Sequence, residues 1–69
     1  MKLSARNLLK GKVTKITMGA VNAEVEIELA GGQTIISVIT VNSVKNLGLK
    51  VGKDAFAMVK ASSVMVAVE

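Results

Sequence analysis

The most consequential absences in this 69-residue chain are those of cysteine and histidine. Without either residue, the chain offers no good ligands for a soft or borderline metal cation such as zinc. We therefore expect any metal to be held as an oxyanion, through hydrogen bonds, and not as a cation. The same absences remove the usual general bases and nucleophilic pairs, so we do not expect an enzyme.

Aromatic residues are almost absent, because the chain has no Trp, no Tyr and a single Phe, Phe56. Proteins that bind single-stranded nucleic acid usually stack bases on aromatic side chains. Phe56 itself lies in an alternating strand pattern, and we expect it in the core. An OB-type nucleic-acid-binding module is therefore an alternative that only the positive charge of the chain supports.

Long apolar runs are also missing. No stretch approaches the roughly 18 residues that a membrane-spanning helix needs, and the first residues contain no apolar segment of signal-peptide length. The sequence therefore predicts no membrane association and a cytoplasmic location, which the lack of cysteine fits.

The size of the chain allows one domain at most. A domain this small is marginally stable and usually depends on disulfides, metals or oligomerisation. Disulfides are excluded and a structural zinc is not expected, while 51% of the residues are apolar. We therefore expect a homo-oligomer in which subunits cover one another's apolar surface.

The formal net charge is +4, and such an excess attracts anions. Three of the five acidic residues lie together with a spacing of two, which places them on one solvated strand face. They are Glu24, Glu26 and Glu28. The basic residues concentrate near the start, at Lys2, Arg6, Lys10, Lys12 and Lys15.

Apolar and polar residues alternate with period two along most of the chain, which is typical of strands. The pattern predicts strands over 8–17, 21–29 and 54–60, and runs that are apolar on both faces predict buried strands over 34–41 and 64–68. Gly31 and Gly32 predict a hairpin turn, and Asn42 or Ser43 predicts the cap of a short helix that Gly48 ends. This order is that of an all-β, five-stranded OB-like Greek-key barrel with one short helix between strands 3 and 4.

Three short segments concentrate hydrogen-bond donors and positive charge, as a small oxyanion requires. Ser4-Ala5-Arg6 precedes the first strand, and Lys60-Ala61-Ser62 ends the fourth. Thr40 and Ser43 lie at the start of the short helix, where backbone N–H groups are unpaired. Each segment also has a simpler interpretation: Ser43 can cap its helix, Lys60 can be a solvated charge, and Arg6 can pair with a carboxylate.

These segments, at these distances, resemble those of the molbindins, small proteins made of one Mop domain. The resemblance covers essentially the whole chain. The same domain recurs in pairs in molybdate-responsive regulators and as an accessory domain of molybdate transport ATPases. The matching segments are Ser4-Ala5-Arg6-Asn7, Leu9-Lys10-Gly11-Lys12-Val13, Ala23-Glu24-Val25, Gly31-Gly32, Ile39-Thr40-Val41-Asn42-Ser43-Val44, Leu47-Gly48-Leu49, Gly52-Lys53, Val59-Lys60-Ala61-Ser62 and Val64-Met65.

The resemblance implies that residues 1–69 form a single Mop (OB-like) domain, assembled as a homohexamer that is a trimer of dimers. It also implies molybdate or tungstate binding at subunit interfaces, for storage and homeostasis of molybdenum. The implied oxyanion-binding residues are Ser4, Ala5, Arg6, Thr40, Ser43, Lys60, Ala61 and Ser62, with their distribution between subunits left open. Molbindins have a second oxyanion site near the symmetry axis, for which the turn at 18–22 is the candidate.

Two further interpretations remain open. A purely structural oligomerisation domain predicts a hexamer with no affinity for anions. A molybdopterin ligand, which older descriptions of the family invoke, would require aromatic or deep apolar walls, and the sequence predicts none.

Overall fold

Four antiparallel strands and one short helix make up the fold, which a computed structural model describes for residues 1–69. The sheet has the order β3-β2-β1-β4 and forms a half-open barrel. The all-β class, four of the five predicted strands and the single short helix are confirmed. The elements are β1 (Asn7–Met18), β2 (Asn22–Leu29), β3 (Thr34–Thr40), α1 (Val41–Leu47) and β4 (Asp54–Val59), followed by a 3₁₀ turn at Ala61–Ser63.

The central strand, β1, pairs with a different neighbour along each half. Residues 7–12 pair with β4, and residues 11–18 pair with β2. A β-bulge at Thr14 shifts the register between Val13 and Lys15. Such bulges bend a strand and increase its twist. The bend helps β1 to pair with β4 along one half and with β2 along the other.

Gly11 lies where the two ladders of β1 overlap, opposite Leu29 on one side and Ala55 on the other. A Cβ atom at this position would lie 2.5 Å from the carbonyl oxygen of Glu28 and 2.7 Å from Cγ2 of Ile27. The absence of a side chain therefore permits the close approach of β2 to β1.

The core lies against the inner face of β2. Ala23, Val25 and Ile27 are buried there, whereas Glu24 and Glu28 on the opposite face are exposed. This alternation confirms the period-two pattern of the sequence. The remaining buried residues are Val13, Val44 and Ala57, one each from β1, α1 and β4.

Phe56 is not a core residue, and the prediction that placed it there is wrong. Alternation along β4 directs Ala57 into the core and leaves Phe56 47% exposed. Small side chains face inward on this strand, so the largest apolar group of β4 lies at the surface of the chain.

Helix α1 begins directly after β3 and is capped by Thr40. The side-chain oxygen of Thr40 accepts a hydrogen bond from the backbone N–H of Ser43 at 3.0 Å. The expected caps, Asn42 and Ser43, instead lie inside the helix. Gly48 ends the helix in the left-handed conformation, with φ of 63°, as predicted.

The predicted fifth strand, over 64–68, does not form within the chain. Val64 has an extended backbone, but residues 64–69 pair with no strand and are all exposed. A strand needs a neighbour for its backbone groups, and no residue of this segment is paired in the sheet. The helices present are too short to span a membrane.

The accessible surface of the chain is unusually large. It measures 5540 Å² for 7.2 kDa, whereas a folded monomer of this mass exposes about 4,100 Å². The difference arises from a half-open barrel and an extended apolar end, so the isolated chain is not a self-contained globular unit.

Candidate functional site

The pairing of β1 with β4 brings the first and last predicted donor segments together. Asn7 at the start of β1 is paired with Val59 at the end of β4. The segment 4–6 therefore enters β1 beside the point where the segment 60–62 leaves β4. Residues that are distant in sequence become neighbours through this single register.

One pocket, with a volume of about 600 Å³, lies between these segments. We call it the anion pocket. Six of the eight sequence-predicted residues line it, together with Met58, which sequence reasoning missed. Met58 lies opposite Leu8 in the β1–β4 ladder, so only the register reveals its position. The lining residues are Ser4, Ala5, Arg6, Met58, Lys60, Ala61 and Ser62.

The two cations of the anion pocket have no acidic partner. The ion pairs of the chain join Lys12 to Asp54 at 3.6 Å and Lys15 to Glu26 at 3.9 Å, and neither includes Arg6 or Lys60. No carboxylate lines the pocket. The simpler interpretation of Arg6, as the partner of a carboxylate, therefore does not apply in this structure.

Backbone donors add to these charges. The N–H groups of Ala5, Arg6, Ala61 and Ser62 donate to no backbone or side-chain acceptor of the chain. The hydroxyls of Ser4 and Ser62 are equally free. The pocket thus presents hydrogen-bond donors and positive charge without competing acceptor side chains, which is the chemistry that an oxyanion requires.

The other two predicted residues, Thr40 and Ser43, do not line the anion pocket. Thr40 pairs with Asn22 at the start of β2, and β2 begins opposite Met18 at the far end of β1. Since β1 has 12 residues, roughly 35 Å of strand separates this end from the anion pocket. One chain cannot bring both groups to the same small anion. The turn at 18–22, the candidate for a second site, lies at the Thr40 end.

The hydroxyls of Thr40 and Ser43 form a short relay. Thr40 Oγ1 donates to Ser43 Oγ at 2.8 Å while it accepts from the Ser43 N–H. The hydroxyl hydrogen of Ser43 is then left to donate outward. Hydrogen bonds in a chain polarise one another, so this arrangement makes Ser43 the better donor to an external acceptor.

No group of three or more His, Cys, Asp or Glu residues lies close enough to hold a metal ion. The anion pocket also contains no aromatic side chain. Its donor set fits a small inorganic anion better than a flat aromatic ligand.

Comparison with known proteins yields consistent matches along the whole chain. The family model described as TOBE domain matches residues 3–66. A relative from Haemophilus influenzae, called probable molybdenum-pterin-binding protein, is 55% identical over 69 residues, which is 100% of both chains. A molybdate-binding protein from Sporomusa ovata gives a TM-score of 0.93 at 35% identity, covering 99% of this chain and 100% of that one.

A further solved structure is that of ModG, described as a cytoplasmic molybdate-binding protein and determined with molybdate bound. It gives a TM-score of 0.91 at 52% identity, covering 94% of this chain and 46% of that chain. The chain therefore corresponds to about half of ModG and to the full length of the other two proteins.

Proposed function

Since the chain belongs to the TOBE-domain family and, within it, to the molybdenum-pterin-binding (Mop) proteins, we propose that it binds molybdate or tungstate at interfaces between its own copies. The observation that carries this proposal is the convergence of unpaired donors on the anion pocket. Its role is storage and homeostasis of molybdenum, with no catalytic step. The description of ModG as cytoplasmic supports the same location for this protein.

The anion pocket suits a tetrahedral dianion. Such an ion presents four oxygens, and the pocket supplies two serine hydroxyls, four backbone N–H groups, the Arg6 guanidinium and the Lys60 ammonium. Charge-assisted hydrogen bonds contribute about 1.5–3 kcal/mol each. A handful of them reaches the roughly 8 kcal/mol of micromolar binding. Tungstate has the same shape and charge, so the same donors serve either ion.

The separation of Thr40 and Ser43 from the anion pocket supports a site shared between subunits. If these hydroxyls contact the same anion as Arg6 and Lys60, they must come from a second copy, because β1 separates the two groups within one chain. We assign Ser4, Ala5, Arg6, Lys60, Ala61 and Ser62 to one subunit and Thr40 and Ser43 to its neighbour.

The exposed apolar surface of the chain supports its assembly into an oligomer. Large apolar side chains are exposed on the outer face of β3 and along the C-terminal segment, including Val38 at 66% and Met65 at 93%. Exposed apolar surface of this extent marks contact with other subunits. The homohexamer, a trimer of dimers, that the family resemblance implies would cover it. A bound anion at such interfaces would stabilise the assembly, because it binds only the folded oligomer.

Isothermal titration calorimetry with molybdate, and separately with sulfate, tests the proposal. We expect tight binding of molybdate, little heat with sulfate, and a stoichiometry that reflects sites shared between subunits. Absence of heat with either anion would refute the function, and single-stranded nucleic acid would be titrated next.

Two variants test whether Arg6 and Lys60 belong to the molybdate site. Arg6→Ala and Lys60→Ala should each weaken molybdate binding more than tenfold, which corresponds to about 1.4 kcal/mol, while leaving the oligomer folded. Lys50→Ala is the matched control, because Lys50 is an exposed lysine outside the pocket. It removes the same charge and should leave the affinity nearly unchanged. Equal affinities in all three variants would remove Arg6 and Lys60 from the site.

A further inference from the structure

The side chains of this chain that mild oxidants attack are its methionines. Cysteine and methionine are the residues whose sulfur such oxidants modify, and the chain contains four Met and no Cys. The four are Met1, Met18, Met58 and Met65, all at least half exposed, and only Met58 lines the anion pocket. One oxidisable side chain therefore lies in the pocket and three lie outside it.

Met58 lies beside one of the unpaired cations of the pocket. β4 ends at Val59, and Lys60 follows with an extended backbone. Residues two apart on an extended strand share a face, so Met58 and Lys60 project to the same side with their Cα atoms roughly 7 Å apart. The Lys60 ammonium makes no ion pair or hydrogen bond within the chain. A lysine side chain is long enough to reach a hydrogen-bond acceptor formed at Met58.

The unmodified thioether of Met58 does not compete with a bound anion. A thioether sulfur is only a weak hydrogen-bond acceptor, and no carboxylate lines the pocket. The Arg6 guanidinium, the Lys60 ammonium and the serine hydroxyls are therefore all left for the ligand. A strong acceptor placed at Met58 would be the first acceptor side chain in a pocket of donors.

We propose that Met58 is a modification site, at which oxidation to methionine sulfoxide by a peroxide lowers the affinity of the anion pocket for its oxyanion. The inference rests on the proposed function. Oxidation converts the apolar thioether into a polar group, whose oxygen carries partial negative charge and accepts hydrogen bonds. Beside Lys60, this oxygen takes a donor from the anion and adds negative potential where the pocket otherwise has none.

The modification is a direct oxygen transfer from hydrogen peroxide to sulfur. A sulfur lone pair attacks one peroxide oxygen, an S–O bond forms and the O–O bond breaks. The other oxygen leaves as water, with the proton of the transferred oxygen. Sulfur is oxidised by two electrons and peroxide is reduced by two. Because hydrogen peroxide is smaller than molybdate, an opening that admits the anion also admits the oxidant. Methionine sulfoxide reductases reverse the change.

Two complementary variants isolate the effect of Met58. Met58→Leu removes the pocket methionine and keeps an apolar side chain of similar volume. Met18→Leu/Met65→Leu keeps Met58 as the only methionine besides Met1. Each assembled protein is titrated calorimetrically with molybdate before and after limited treatment with hydrogen peroxide, and peptide mass spectrometry follows the conversion of each methionine. The quantity compared is the ratio of the two affinities, in which the effect of the substitution itself cancels.

Peroxide should weaken molybdate binding roughly fivefold or more in the wild type and in Met18→Leu/Met65→Leu, as expected when the anion loses about one hydrogen-bond donor. The affinity of Met58→Leu should not change on treatment, although its other methionines are oxidised. The sulfoxide reductases, one for each epimer, should restore the wild-type affinity. An equal loss in Met58→Leu would overturn the proposal. So would an unchanged wild-type affinity after complete conversion of Met58, or an unmodified Met58 at a peroxide concentration that oxidises Met18.

Light scattering separates a direct effect on the pocket from a loss of assembly, because Met58 also lines an apolar groove between β3 and β4. The oxidised wild type should keep its oligomer mass, and dissociation that accompanies the loss of affinity would overturn the proposal. Met58→Gln, which places an amide oxygen near the position of the sulfoxide oxygen, should bind molybdate more weakly than the wild type before any treatment. If the untreated wild type binds no molybdate, the proposed function fails and this inference falls with it. If it binds molybdate and the affinity survives oxidation of Met58, the function stands and only the role of Met58 fails.

Discussion

The hydroxyls of Thr40 and Ser43 allow helix capping to be separated from anion binding. Thr40 Oγ1 caps α1 by accepting from the Ser43 backbone N–H at 3.0 Å, whereas the Ser43 hydroxyl caps nothing. Thr40→Val preserves the shape of the side chain and removes the cap. Ser43→Ala removes a hydroxyl and leaves the capping hydrogen bond in place.

The two substitutions should therefore change Tm and the affinity for molybdate by different amounts. Loss of an N-cap destabilises a protein by about 1 kcal/mol, which lowers Tm by roughly 4–8 °C in a domain of this size. Ser43→Ala should change the ligand-free Tm little, because its only lost contact is an exposed hydroxyl pair. If Ser43 donates to the anion, its loss weakens molybdate binding by about 1 kcal/mol, or roughly fivefold.

Thermal denaturation without ligand, at one protomer concentration, measures the first effect, and calorimetric titration with molybdate measures the second. Thr40→Val should lower both Tm and affinity, and Ser43→Ala only the affinity. A ligand-free Tm that falls equally in the two variants would refute the assignment of the cap. An unchanged affinity in Ser43→Ala would remove its hydroxyl from the anion site.

Two substitutions in the sheet test the packing. Gly11→Ala should destabilise the chain strongly, because its Cβ would lie 2.5 Å from the Glu28 carbonyl oxygen, whereas Gly31→Ala meets nothing within 4 Å and should be nearly neutral in thermal melts. Similar Tm values for these two variants would contradict the close approach of β2 to β1. Val25→Ala removes two buried methyl groups at 1% exposure and should lower the free energy of unfolding by about 2 kcal/mol in urea titration. Its control, Val21→Ala at 70% exposure, should stay within about 0.5 kcal/mol, and an equal effect of both would place Val25 outside the core.

Much of the fold follows from local patterns. The strands β1 to β4 begin and end within one or two residues of the predicted bounds, because half-buried strands alternate with period two. The prediction of Asn42 or Ser43 as the N-cap is wrong for a local reason. Thr40 closes a β-branched run and is assigned to β3, yet its hydroxyl reaches forward into the next element.

The remaining differences depend on contacts that a sequence does not display. The segment 64–68 is apolar on both faces, as a strand buried on both sides would be, but it pairs with no strand of the chain. The grouping of the donor segments depends on the register of β1 with β4, which unites 4–6 with 60–62 and leaves Thr40 at the other end. Spacing along the chain gave no indication of this division.

The pairing of β1 with β4 also has a kinetic consequence. The β1–β2 and β2–β3 pairs are joined by short turns, whereas β1–β4 joins the beginning of the chain to its end. Closing so long a loop carries the larger entropic cost, so we expect the hairpins to form early and β4 to dock late. The anion pocket exists only after that last event. A bound oxyanion would therefore slow unfolding without accelerating folding, and would act on the lifetime of the subunit as well as on its equilibrium stability.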